Sequence, residues 1–370
     1  MKKLLSVLIC AVLILISVMS VNASVVGEKL IYDVFDTHVE IVGLNTEDTK
    51  IVVPSEIEGK PVTKIGYRAF CGSYIREIVL PDTIEEIGAG AFLDCLFLEK
   101  VEIPFSVSEI KFQTFRGCTL LRDVSIPESV TKIDDEAFYA CSSLRNLSEL
   151  SKDLTVIGES AFLDCHSLEN IYINEENSVF KSVGGVLYTN RGEELFLYPA
   201  GKKDKTFEIP STVRVLKEDA FEFSLLEEIV IPATVEIIEK NCFHHCPNLK
   251  SVIFEDSEVT VEDCAFLECS SLKKVVIPSD KIVLKNNVFD MCNKATLYAP
   301  ENSKAFEYGV NANLYKGYVN ADGSLSRPIQ MPKINWGKVG TVFGGIVLVV
   351  GGFFLYRKFG KDKKEVITRE

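Results

Sequence analysis

Phenylalanine recurs at Phe70, Phe92, Phe115, Phe138, Phe162, Phe221, Phe243, Phe266 and Phe289, with spacings of 22, 23, 23, 24, 59, 22, 23 and 23 residues. Other positions keep step with it. An apolar residue sits five before each one, from Ile65 to Leu284, and alanine directly precedes six of the nine. Three residues after the Phe stands Cys95, Cys118, Cys141, Cys165, Cys246, Cys269 or Cys292, with Ser73 and Ser224 in the two remaining units. Those two units each open a run of regular spacing. A fixed period of this length marks a repeat architecture in which each unit is one coil.

Within a coil the run Leu-x-x-apolar-x-apolar-Pro, as in Leu98 to Pro104 and Leu272 to Pro278, alternates inward and outward positions. That is the period of a half-buried strand, and proline ends it because it has no N–H to give a ladder. Strands repeated at one per coil stack in parallel. A single coil buries too few apolar side chains to offset the backbone entropy of its own residues, so stability has to come from neighbouring coils.

The period breaks between Asn174 and Thr206. Gly185 to Thr189 and Glu194 to Tyr198, around Asn190-Arg191-Gly192, predict a hairpin inserted at 174–206. Its aromatic residues Tyr188, Phe196 and Tyr198 are candidates for an exposed contact knob, the alternative being a structural coil variant.

The ends carry a different pattern. Met1-Lys2-Lys3 followed by an apolar run from Leu4 to Val21, with Val21-Asn22-Ala23 behind it, predicts a signal peptide over 1–23. Cys10 lies inside that run, which argues against a lipoprotein. Val339 to Tyr356 is uncharged and bracketed by Lys338 and Arg357-Lys358, so 338–356 predicts one transmembrane helix. The basic residues that follow predict a cytoplasmic tail over 357–370 and an extracellular amino-terminal region. Between these ends, residues 24–335 hold 31 basic against 50 acidic residues, a net charge near −19 that repels phosphate backbones and excludes nucleic acid as a partner.

The coil Leu121-Arg-Asp-Val-Ser-Ile-Pro-Glu-Ser-Val-Thr-Lys-Ile-Asp-Asp-Glu-Ala-Phe-Tyr-Ala-Cys141 resembles the BspA-type leucine-rich repeat, over about residues 54–300. Val39 to Phe70 is similar to that family's entry segment, and Leu297-Tyr-Ala-Pro300 with Ser303-Lys-Ala-Phe306 to its closing segment. The resemblance implies a right-handed leucine-rich-repeat solenoid of parallel strands joined by short helical or 3-10 turns. It also implies cell-surface exposure and adhesion or protein binding. The Met1-Lys2-Lys3 leader and the short tail after the anchor point to a bacterial source, although members of the family occur in some protists as well. The expected domains are a strand-rich cap at 24–66, the solenoid at 67–300, and a carboxy-terminal cap and linker at 301–337. Irregularities at Leu144 to Thr155 and Ser251 to Val261 are expected to disturb local coil geometry.

Seven cysteines at one repeat position point in parallel, one strand spacing apart, which is the wrong geometry for a disulfide. They read as a buried ladder of free thiols filling the coil corner. Cys71, Cys242 and Cys264 fall outside it, and a Cys242 to Cys264 bond stays open. Cys242-Phe-His244-His245-Cys246 has the residue types of a zinc site, but Cys246 belongs to the inward ladder and Phe243 to the core. The expectation is therefore packing and no metal. No nucleophile elbow, phosphate loop or paired-histidine motif appears, so no enzyme and no cofactor are expected. Asn146-Leu147-Ser148 is a glycosylation sequon with meaning only in a eukaryotic secretory pathway.

The outward strand residues predict one broad face. Its first half is mostly charged, with Glu77, Lys100, Glu102 and Asp123. Its second half sets Tyr172, Val230, Ile253 and Val276 among Glu208, Glu228 and Lys274, a candidate face for an extracellular protein or glycoprotein. The other class weighed is a surface coat or spacer without a specific ligand.

Overall fold

The computed structural model describes residues 24–26, 29–312, 314–320 and 323–328. The expected signal peptide and transmembrane helix lie outside them. Among the described residues no helix is long and apolar enough to cross a membrane.

Each coil gives one short strand to each of two parallel ladders. In a first block the front ladder runs through Lys50–Val52, Glu77–Val79, Lys100–Glu102, Asp123–Ser125 and Asn146–Leu147. In a second block it runs through Thr206–Phe207, Glu228–Ile231, Ser251–Phe254, Lys274–Val276, Thr296–Ala299 and Tyr315–Tyr318. The side ladder carries pairs such as Lys132–Ile133 with Val156–Ile157, and Val215–Leu216 with Ile237–Ile238. Alternation sets the register: Val101, Val124, Val252 and Val275 point in and are buried, while their neighbours point out.

The repeating phenylalanines form two columns of rings. Phe70, Phe92, Phe115, Phe138 and Phe162 lie with centroids 5.1 to 5.4 Å apart. In the second block Phe221, Phe243, Phe266 and Phe289 continue at 4.6 to 5.3 Å. All of these rings are buried. The turn around them closes through residues of positive φ two before and two after the Phe, such as Asn241 at 55° and His245 at 51° around Phe243. Tight turns built on this left-handed backbone therefore stand where short helical turns were expected. Among the described residues Lys304–Asn311 is the helix present, capped by the Ser303 hydroxyl that accepts from Phe306 N, and it covers the last coil with Ala305 and Phe306.

The thiols do more than fill the corner. Cys95, Cys118, Cys141 and Cys165 each donate to the backbone oxygen of the preceding coil's phenylalanine, from Phe70 to Phe138, at 3.0 to 3.2 Å. Cys246, Cys269 and Cys292 repeat the contact to Phe221, Phe243 and Phe266 at 3.1 Å. In the first block these carbonyls also accept a backbone N–H within their own turn, as Phe92 O does from Cys95 N, so the thiol fills the second acceptor site of the oxygen and ties one coil to the next. Ser73 and Ser224 open the two thiol ladders, and their hydroxyls lie 3.4 and 3.2 Å from Cys95 Sγ and Cys246 Sγ.

The amino-terminal strands Ser24–Val26, Leu30–Val34 and Val39–Leu44 pair antiparallel, and the last then pairs parallel with Lys60–Ile65 to start the side ladder. This arrangement covers an edge that would otherwise invite pairing with another chain.

The insert is more than a hairpin. Phe180–Val183, Val186–Thr189 and Glu194–Leu197 form a three-stranded antiparallel meander, and its third strand pairs parallel with Val215–Leu216 as the first rung of the second block's side ladder. The middle strand is a wall between two cores. Leu187 packs into the first, and Val186 and Tyr188 into the second, because successive residues of a strand face opposite ways. Tyr198 stacks on Phe221 at 5.0 Å. The 59-residue gap thus hides one more ring of the second column, supplied by tyrosine instead of phenylalanine.

The expected irregularities are absorbed without loss of register. Ser251–Phe254 pairs along its whole length with Glu228–Ile231. At the other, the Ser148 hydroxyl accepts from Ile126 N at 2.8 Å and donates to Ile126 O at 3.0 Å, standing in for a backbone rung.

Candidate binding face and outer corner

Ladder register places Val230 beside Ile253, Ile253 beside Val276, and Val276 beside Tyr298, one outward residue from each of four successive rungs. Neighbouring rungs lie about 4.8 Å apart, so these side chains form a continuous row. Val230 is 45% exposed, while Ile253 and Val276 are half-buried by their neighbours. The parallel row two residues earlier holds Glu228, Ser251, Lys274 and Thr296. Glu228 is exposed and Lys274 half-buried, but Ser251 is buried, so that row is broken at its centre. Glu208 is exposed just beyond the Thr206–Phe207 strand.

Tyr172 is not part of this row. It is 51% exposed, but its backbone oxygen accepts from Leu150 N and its neighbour Ile173 bridges Leu150, which places it with the end of the first block. The expected stripe is therefore shorter than the sequence indicated, and Tyr298 extends it at the other end.

The aromatic knob is corrected. Tyr188 and Tyr198 are 3% and 1% exposed, and Phe196 is half-buried with its ring edge against Phe180 at 5.4 Å. The Tyr198 hydroxyl reaches outward to donate to Asp204 Oδ2 at 3.0 Å, but its ring belongs to the core. Tyr188 lies on a strand with a core on each side, Tyr198 joins the ring column, and Phe196 alone keeps a partly open ring.

Exposed aromatic side chains occur instead on the first block. Phe105 is 70% exposed, and Tyr74, Leu96 and Phe97 are exposed together at the corner just past the cysteine position, with the Tyr74 and Phe97 rings 5.9 Å apart. They lie outside the alternating strand positions, so periodicity gave no signal for them. Several charges of this block pair between coils: Lys50 with Glu77, Arg76 with Glu99, and Lys64 and Lys111 both with Glu86. Exposed pairs of this kind add little stability and leave a mixed-charge surface.

The outer corner of the second block holds a cluster of different chemistry. Glu222 and His244 directly follow Phe221 and Phe243, so they stack one coil apart, and His244 Nδ1 lies 2.7 Å from Glu222 Oε1. One position on, Phe223 and His245 stack with centroids 5.1 Å apart, and His245 Nε2 pairs with Glu268 Oε2 of the next coil. Burial pushes the Glu222 carboxyl up to about 8, helped by the negative charges of Asp219 and Asp164. Burial also lowers His244, with His245 adding to the effect. Both shifts favour a neutral hydrogen-bonded pair, because desolvation outweighs the attraction between the two groups. Glu222, His244 and His245 each offer a donor atom, all within 4.8 Å of one another. Cys242 and Cys246, which flank the histidines in sequence, point the other way into the core, where the Cys246 thiol donates to Phe221 O.

Parallel strands stacked at one per coil in two ladders, around columns of phenylalanine and cysteine, define a parallel β-solenoid of the leucine-rich-repeat type. The chain matches the BspA-type leucine-rich repeat region in six copies, over residues 62–183 and 195–316, and it belongs to that family. The interruption in the match falls on the middle strand of the meander, Val186–Thr189, and the turns on either side of it. No curated protein sequence matches the chain. Among solved structures it is similar to the pneumococcal vaccine antigen PcpA, at 17% identity and a TM-score of 0.50 over 79% of this chain and 96% of that one. It is also similar to a leucine-rich cell surface protein from Faecalibacterium prausnitzii, at 24% identity and a TM-score of 0.49 over 79% and 97%. A leucine-rich-repeat protein from Bacteroides ovatus aligns at 22% identity and a TM-score of 0.47 over 73% and 83%. At these identities the likeness is one of fold.

Proposed function

We propose that the chain is a membrane-anchored surface scaffold without enzymatic activity that binds an extracellular protein or glycoprotein through the front face of its second block. The observation that carries this reading is the row Val230, Ile253, Val276 and Tyr298, apolar and in register on a rigid ladder. A contiguous apolar strip on an otherwise acidic surface is the kind of patch that marks a contact site. Glu208, Glu228 and Lys274 supply a polar rim. Family membership supports display at the cell surface. The apolar runs at 4–21 and 339–356, with basic residues after the second, support secretion of the amino-terminal region and a single anchor with a cytoplasmic tail.

The test is binding of the purified chain to a panel of extracellular-matrix proteins, glycoproteins and glycans, beside a Val230→Glu, Ile253→Glu, Val276→Glu variant. Saturable binding that is lost in the folded variant supports the reading. Equal binding by both proteins moves the site to Tyr74, Leu96 and Phe97, whose shared exposure favours a second contact surface. Binding by neither leaves a surface coat or spacer.

A further inference from the structure

The outer corner of the second block places three potential metal ligands together by register. His245 N donates to Leu267 O and Phe223 N to His244 O, at 3.0 and 3.1 Å, so successive coils lie in step at this corner. The column directly after the phenylalanines brings Glu222 over His244, and the next column brings Phe223, His245 and Glu268 into line. The donor atoms of Glu222, His244 and His245 consequently fall within 4.8 Å of one another although they come from two coils.

Two of the polar atoms in this group are buried and have no partner: Glu222 Oε2 and His245 Nδ1. The Glu222 side chain is only 7% exposed, so water does not satisfy it from the surface. A buried polar atom left unpaired loses its hydration without compensation, so a ligand that supplies a partner is favoured there. The state of His245 is informative. Its Nε2 faces Glu268, and a carboxylate on one ring nitrogen fixes the tautomer that leaves a lone pair on the other, which here is the unpartnered Nδ1. That is how metal-bound histidines are oriented by a carboxylate behind them. A third acid lies nearby in the last coil of the first block, where Asp164 Oδ1 is buried without a hydrogen bond, 3.9 Å from His166 Nε2, and the carboxylate acts on both Glu222 and His244.

We propose that Glu222, His244 and His245 form a site for one divalent first-row transition-metal cation of the zinc type. Glu268 orients His245, and Asp164 adds negative charge from the neighbouring block. Two imidazoles and one carboxylate suit such a cation, with solvent completing the shell, whereas calcium and magnesium prefer oxygen donors alone. No thiol takes part, since Cys242 and Cys246 are buried on the core side of the backbone. The ion lies where the second block begins, and its binding energy adds to the stability of that junction.

The test uses the full chain, purified without a polyhistidine tag, stripped with chelator and desalted. Titration calorimetry with Zn2+ is expected to give one equivalent per chain. Co2+ is expected to give visible d–d bands, and X-ray absorption at the zinc edge a shell of nitrogen and oxygen without sulfur. Glu222→Gln and His245→Gln are each expected to weaken binding at least about ten-fold, and Glu268→Gln about ten-fold. Zn2+ is expected to raise the melting temperature of the unsubstituted chain but not of Glu222→Gln. The Cys71→Ser, Cys264→Ser chain, which lacks the two most accessible described thiols, is expected to bind as before. Absence of a saturable equivalent overturns the proposal, as does binding that survives both the Glu222 and His245 substitutions or disappears with the thiols. A sulfur shell at the zinc edge overturns it even if a variant fails to fold.

Discussion

The two blocks share one coil grammar and differ in what they present outward. Both stack a ring column against a thiol ladder and run two parallel sheets of short strands. The first block displays paired charges and isolated aromatic side chains such as Phe105, while the second carries an apolar row on its front and a Glu-His-His cluster on its corner. The contrast teaches that the inward positions of this solenoid are fixed by stacking, whereas the outward ones vary from block to block. Each block has its own core, and the cores meet across the meander, where Val186–Thr189 and Glu194–Leu197 each give side chains to both.

The sharpest way to break this equivalence is to remove one ring from each column. Phe115→Ala and Phe243→Ala are each expected to cost about 3 to 5 kcal/mol in urea unfolding, with hydrogen exchange showing the loss in the block that carries the substitution. Tyr198→Ala should behave like Phe243→Ala and weaken the second block. A loss of protection confined to the first block would remove Tyr198 from the second column. Tyr198→Phe keeps the ring and sacrifices only the bond to Asp204, an expected cost of about 1 kcal/mol.

A smaller difference concerns pH. Burial, with Glu218 nearby, pushes the Asp219 carboxyl in the second block up to about 6 from its ordinary 3.8. The folded state then holds the proton more tightly than the unfolded chain. This contribution to stability is full below pH 3.8 and is lost as pH rises through about 6. Asp219→Asn, which copies Asn241 at the same position one coil on, should flatten that dependence. It should also raise stability at pH 7 by about 1 kcal/mol once the group's partial exposure is discounted. Urea midpoints at pH 4 and pH 7 that shift equally in both proteins would refute it.

Thiol reactivity compares inward with outward positions directly. Cys71 is exposed and Cys264 half-buried, while the other eight described cysteines are buried. Burial also pushes the Cys118, Cys141, Cys165 and Cys242 thiols up, away from the reactive thiolate. An aromatic disulfide reagent should therefore label Cys71 first, Cys264 next, and the buried set only on unfolding. Mass spectrometry that finds a ladder cysteine labelled early in the folded chain would contradict the hydrogen-bonded column. The smallest effect is expected at the apolar row, where Val230→Glu should change stability by no more than about 0.5 kcal/mol because the side chain already faces solvent. A larger loss would mean that the row is core rather than contact surface.

The coil period, the front strand, the ring column and the inward thiols were legible in the chain, because a solenoid residue meets its equivalents one period away. Regular spacing in sequence therefore maps directly onto stacking in space. The second, short strand of each coil appeared only in the structure. Ser73 and Ser224 were visible as exceptions, and in the structure they stand at the open end of each thiol ladder. The stripe was half legible. Alternation identified Val230, Ile253 and Val276, but only the pairing register showed that Tyr298 joins them and Tyr172 does not.

Once the period breaks, spacing no longer names the neighbour. The sequence alone suggested a hairpin with exposed rings. The tertiary structure made its middle strand a wall between two cores and turned Tyr198 into the ring that the 59-residue gap concealed. The same limit governed the chemistry. Reading along the chain grouped His244 and His245 with Cys242 and Cys246, their immediate neighbours. The fold sends those thiols inward and brings Glu222 and Glu268 alongside the histidines from adjacent coils. Sequence determines which residues share a position in the coil. Only the left-handed turn at the corner and the step between coils decide which of them point at one another.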